Sequence, residues 1–350
     1  MKNQLTRRSL LAGVAVGAAT YSTSCTTLRC INPILASNDL LQRMFVGLHL
    51  DAFALMIFGT VLASPNPYLS ANRALGVLAF FLFPELLFDG AAATTDTARI
   101  AMTLDDNTLV IINPENGAVL SKVTLGQQPS LIAAPPNGQF LAITNAASHS
   151  VSIVTTADSR LSKTIQLESG SAPYGVAVSE DGKKVYVANE ARNSISVIDV
   201  AAGQVVATIS TPGTPSKIAI SPDGSLLWAP TASGAIYVID TLSDTVSTVL
   251  RNVPNPVAVA FNPTGTRAYV TSAPAATPGS VVVLNTGDYS ILTRIAVGTN
   301  PYSIVLSSGG TFAYVSNFDS NSVSVIDAVN DQVVRTIATG KAPIEVAIFS

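Results

Sequence analysis

The stretch VYVANEARNSISVID, residues 185–199, decides the fold. Val185, Tyr186 and Val187 are strong β-formers. Residues 189–193 are polar, and Ile195-Ser196-Val197-Ile198-Asp199 alternates in the manner of a strand. Upstream, Val176-Ala177-Val178 makes another short apolar run, ended by the turn Ser179-Glu180-Asp181-Gly182, where Gly182 accepts a positive φ at little cost. Downstream, a turn containing Gly203 leads to a fourth apolar run over residues 205–209. Four short strands joined by tight turns predict one antiparallel sheet.

The same grammar recurs. AYVSNFDSNSVSVID over residues 313–327 repeats the deciding stretch, and Tyr237-Val238-Ile239-Asp240 repeats its third strand. The first turn returns as Ser221-Pro222-Asp223-Gly224, Asn262-Pro263-Thr264-Gly265 and Ser308-Gly309-Gly310. Pro129, Pro173, Pro215, Pro256, Pro301 and Pro343 each open a copy, at intervals of 44, 42, 41, 45 and 42 residues. A period near 40 built of four strands is the signature of an all-β β-propeller with four-stranded antiparallel blades. The two quoted stretches closely resemble the YVTN-type β-propeller repeat, and the resemblance spans residues 98–350. It implies an exported or surface-associated, surface-layer-like propeller, in a family usually described as seven-bladed.

The count in this chain points to six. Residues 99–113 align without gaps on residues 185–199, so residues 98–128 read as a blade that lacks its first strand. Residues 343–350 read as a first strand with nothing after it. The economical expectation is a six-bladed ring in which the C-terminal strand, residues 345–349, closes the N-terminal blade and removes exposed sheet edges. A seven-bladed ring lacking one blade is the rival. Composition agrees with a packed β protein: 48% hydrophobic and 12% charged residues argue against disorder.

Residues 1–97 hold no copy of the repeat. Arg7-Arg8 followed by Leu10-Leu11 and an Ala- and Gly-rich apolar stretch reads as a Tat-like export signal over residues 1–30. Cys25 and Cys30 are the only cysteines. They leave three readings open: lipidation at Cys25, a disulfide in an oxidising compartment, or two idle thiols. Residues 31–97 are expected to be an apolar, partly helical extension. Its segments 44–63 and 74–83 are interrupted by His49, Asp51, Pro84 and Glu85 before reaching the roughly 18 apolar residues that span a bilayer. Membrane association through this region is one reading, beside helices packed on the propeller or a second signal-like segment with Ala91-Ala92-Ala93 near a cleavage site.

Function is expected on the face where the loops after the second and fourth strands converge. Those loops carry His149, Tyr174, Arg192, Lys217, Arg251, Tyr302, Asp319 and Lys341, a mixed polar rim with aromatic edges suited to an envelope protein, a glycan or a small molecule. His149 is the only histidine after residue 97, so a histidine-built metal site is not expected. No cofactor is expected either. Asp199, Asp240 and Asp327 fall at one position of successive blades and read as Asx turns, while Asn145, Asn189 and Asn317 read as braces for the loops. A net charge of −3 argues against a nucleic-acid partner. The expectation is a periplasmic or cell-surface binding or scaffold module without catalysis. The alternative, a lactonase-like hydrolase or a quinone- or haem-dependent oxidoreductase, rests on fold analogy.

Overall fold

The computed structural model describes residues 91–346, apart from 95–98, 105, 114–117 and 275–277. The export signal, Cys25 and Cys30, and all but Ala91–Thr94 of the extension expected to be partly helical over residues 31–97 lie outside the described residues, and Ala91–Thr94 is a strand. Among the described residues there is no α-helix, and no helix long and apolar enough to cross a membrane.

The chain forms six four-stranded antiparallel sheets in sequence order, which we call blades 1 to 6. Blade 3 shows the pattern. Its strands are Pro173–Val178, Lys184–Asn189, Ser194–Asp199 and Gln204–Ser210, each hydrogen-bonded to the next. The second and third strands are buried along nearly their whole length, because both faces lie against neighbouring blades. The fourth strand alternates exposed and covered residues and forms the outer edge. The turn residues act as expected. Asp199 Oδ1 accepts the Ala202 N–H at 2.8 Å, Asp240 Oδ1 accepts the Ser243 N–H at 2.7 Å, and Asp327 Oδ1 accepts the Val329 N–H at 2.9 Å. The three asparagines brace the loops: each Nδ2 donates to two serine hydroxyls of the following strand.

One hairpin position sets how consecutive blades join. The residue that adopts a left-handed conformation between the third and fourth strands is Asp244 in blade 4, Tyr289 in blade 5 and Asp331 in blade 6. Each reaches back to the preceding blade. Asp244 accepts from Lys184 Nζ at 2.8 Å and Tyr186 OH at 3.0 Å. Asp331 takes a bidentate contact from Arg267 at 2.7 and 3.1 Å. Between blades 4 and 5 the contact is apolar instead: the fully buried Trp228 meets Tyr289 at 5.8 Å and, edge-on, Phe261 at 5.5 Å. Lys184, Arg267 and the residues they meet are thus alternative solutions to one packing problem.

The N-terminal blade does not lack its first strand. Ala91–Thr94 supplies it, pairing with Arg99–Leu104. The expectation that residues 345–349 close this blade is therefore corrected: the inner position is already taken, because a ladder needs only backbone N–H and C=O groups and not the repeat's side chains. Residues 343–346 carry no strand and lie beside blade 6. Ser316 Oγ donates to the Ile344 carbonyl at 3.4 Å, as Thr144 Oγ1 donates to the Tyr174 carbonyl of the next blade at 2.8 Å. Val346 packs on the blade 6 core around Tyr314 and Val325. Among the described residues, no strands of blades 6 and 1 pack as closely as those joining consecutive blades.

Candidate functional site

Pro129, Pro173, Pro256 and Pro301 start the inner strands of blades 2, 3, 5 and 6, and the register there is irregular. Ladder pairing shifts between Pro129 and Ile132, between Pro256 and Val259, and between Pro301 and Ser303. Such bulges turn side chains out of the ladder. Blade 4 departs furthest. Its inner strand is reduced to Ala219–Ile220, while Pro215 pairs in isolation with Thr231 and Lys217 bridges in parallel to Ala258 of blade 5. The Lys217 N–H donates to the Val257 carbonyl at 3.3 Å. Lys217 is thereby lifted from its own sheet and held at the axis, with only 8% of its side chain exposed.

A cavity of about 140 Å³ lies there. Its lining residues include Leu131, Val176, Ile218, Val259 and Ile304 together with Lys217, Ser303 and Glu345, and the surface they expose to the cavity is mostly polar. Lys217 Nζ pairs with Glu345 Oε2 and donates to the Ile344 carbonyl at 3.1 Å. Ser303 Oγ donates to Glu345 Oε1 at 2.7 Å. The Lys217 ammonium also sits 4.8 Å from the centre of the Tyr302 ring, a cation–π contact. Tyr302 and Tyr174 share a hydrogen bond between their hydroxyls at 3.0 Å, and the Tyr302 ring lies 5.9 Å from Phe318.

Burial controls the protonation of this group. It pushes the Lys217 ammonium below the ordinary lysine value, and the Glu345 carboxylate opposes that shift. It pushes the Tyr174 hydroxyl far above the ordinary tyrosine value, with Tyr302 adding to the effect. Glu190 is raised by burial as well. Together these groups place the Lys217 ammonium, the Glu345 carboxylate and the Ser303 hydroxyl at the cavity, with the Tyr174–Tyr302 pair beside Lys217. That set can orient a small amphipathic molecule by its polar end.

Of the residues expected on the loop face, the structure brings Tyr174, Lys217 and Tyr302 together. Arg192 has other work: Nε and Nη2 donate to the Ser169 carbonyl at 3.2 and 2.6 Å, and Nη2 pairs with Glu168 at 3.3 Å. His149 adopts a left-handed conformation, and its Nδ1 accepts the Ala172 N–H at 3.4 Å. Arg251, Asp319 and Lys341 are exposed. Ser303 and Glu345 were not among the residues expected to form a site. Repeat register held the missing signal. The second residue after each blade proline is Leu131, Gly175, Lys217, Ala258, Ser303 or Glu345, so three of the six are polar at a position that faces the axis. Among the described residues, no group of three or more His, Cys, Asp or Glu side chains stands close enough to hold a metal ion.

Fold and pocket define a β-propeller with a polar axial site. Residues 97–257 match the family model described as YNCE-like beta-propeller. No curated protein matches the chain. Among solved structures, a chain of Kuenenia stuttgartiensis hydrazine synthase is similar in fold, with a TM-score of 0.67 and 23% identity, covering 75% of this chain and 89% of that one.

Proposed function

We propose that this chain is an exported β-propeller of the cell envelope that binds a small molecule in its axial pocket and does not transform it. The observation that carries the reading is the convergence of Lys217, Ser303 and Glu345 on one cavity, with the Tyr174–Tyr302 pair beside Lys217. A lysine with 8% of its side chain exposed is costly to bury as a charge, and a site for a polar ligand is one reason to keep it. Export rests on the Arg7-Arg8 signal and on the resemblance of the repeats to exported propellers. The test is native mass spectrometry of the mature protein purified from its own envelope. A bound small molecule that disappears in Lys217→Met is the expected result, and the same spectrum gives the mature N-terminus. The same mass retained in Lys217→Met would overturn the assignment of the site.

A further inference from the structure

We infer that the axial pocket takes a small monocarboxylate with a short apolar tail, and that Glu345 is a built-in competitor occupying its head-group position. This rests on the axial-pocket reading given above. Glu345 is held as a ligand carboxylate would be, with one oxygen on the Lys217 ammonium and the other accepting from the Ser303 hydroxyl at 2.7 Å. The two sides of this contact are not equally fixed. Lys217 is anchored by its backbone bond to Val257 and its bridge to Ala258. Glu345 comes from residues 342–346, which form no strand and are tied to the rest by side-chain contacts such as Asn321 Oδ1 with the Ala342 N–H at 2.8 Å. The lysine is the fixed receptor and the carboxylate is the part that can leave.

Size agrees, and Ile218, Val259 and Ile304 line the cavity beside Lys217 and Ser303. A cavity of about 140 Å³ stands beside the carboxylate, and an apolar cavity of about 150 Å³ is known to accept a six-atom ring. A carboxylate of about six heavy atoms therefore fits, its head on Lys217 and Ser303 and its tail against Ile218, Val259 and Ile304. The segment that carries Glu345 competes intramolecularly, at an effective concentration of millimolar order for a short tether. The intact chain should then bind such a ligand weakly, and loss of the Glu345 charge should release the site.

Butyrate titrated into the full chain by calorimetry, with butyramide as the neutral isostere, tests this. Glu345→Gln is expected to bind butyrate on the order of tenfold more tightly than the parent, to ignore butyramide, and to lose most of that gain when Ser303→Ala is added. Equal affinity of Glu345→Gln for butyramide would overturn the carboxylate class while leaving the axial pocket in place. Equal affinity of parent and Glu345→Gln for butyrate would overturn the competitor role. No binding of either probe by folded Glu345→Gln would overturn the whole inference, and the mass-spectrometric test with Lys217→Met then decides separately whether the pocket binds anything. Should the unpaired lysine prevent folding of Glu345→Gln, refolding with butyrate present must restore the buried Trp228 fluorescence and butyramide must not. Failure of that rescue counts against the inference.

Discussion

Replacing Asn189 by alanine removes one of the three internal braces without touching the axial pocket. Asn189 is 3% exposed, and its Nδ2 donates to Ser194 Oγ at 3.2 Å and Ser196 Oγ at 2.9 Å. Both serines are buried, so no bulk water takes the place of the amide. Each lost hydrogen bond costs about 1 kcal/mol net, and the buried hydroxyls left behind raise that figure. The Asn189 Oδ1 has no hydrogen-bond partner, and its removal offsets part of the loss. The net expectation is about 2 kcal/mol, which for a domain of this size lowers Tm by about 4–8 °C. Trp228 is the single tryptophan and is fully buried in blade 4, so its fluorescence in a urea titration follows global unfolding. Asn330→Ala, at an exposed turn, is the control and should stay within about 0.5 kcal/mol of the parent. Asn317→Ala should repeat the Asn189 result, and the double variant should sum to about 4 kcal/mol, since the two sites share no partner. An Asn189→Ala stability within about 0.5 kcal/mol of the parent would refute the argument that these asparagines hold the blades.

Other expectations follow from packing and titration. At Gly175 an added Cβ would lie 2.0 Å from the Ser216 carbonyl oxygen, so Gly175→Ala should destabilise by at least about 1–3 kcal/mol, and an unchanged urea midpoint would contradict this close approach. Arg267→Ala removes the bidentate clasp between blades 5 and 6, with the Arg267 side chain 27% and the Asp331 side chain 20% exposed. A double-mutant cycle with Asp331→Ala should return a coupling of about 1 kcal/mol, and zero coupling would show the clasp to be incidental. At high pH the tyrosines decide. Burial raises Tyr174, Tyr186, Tyr269 and Tyr314 above 10.0, the last to about 12, so above pH 10 the unfolded chain binds fewer protons than the fold and stability falls. Lys217, lowered by burial, acts oppositely, stability rising with pH up to 10.5, but it is one group against four. Absorbance at alkaline pH should therefore show these phenols ionising together with unfolding, and an earlier, separate ionisation of all four would refute the assignment. At low pH, Asp181 is pulled down to about 2 by the Lys183 N–H and the Ser179 hydroxyl. Its contribution is present above 3.8 and lost as pH falls toward 2, and Asp181→Asn should flatten that part of the acid unfolding curve.

The repeat grammar by itself determined the architecture. Turn residues such as Asp199, Asp240 and Asp327 act through bonds to backbone two or three residues away, and Asn189 reaches only as far as Ser196, so their roles are local and readable in order along the chain. The proline spacing likewise marked where the inner strands of blades 2, 3, 5 and 6 begin. Two things were decided only in three dimensions. The first strand of blade 1 comes from Ala91–Thr94, a stretch with no trace of the repeat, because ladder pairing is carried by backbone groups that every residue except proline possesses. The axial site joins Tyr174 to Tyr302 and Lys217 to Glu345 across separations of 128 residues in both cases. Register shows which residues face the axis. Which of them meet across it depends on how the blades stack, on the shortened inner strand of blade 4, and on residues 343–346 lying against blade 6 instead of pairing with blade 1.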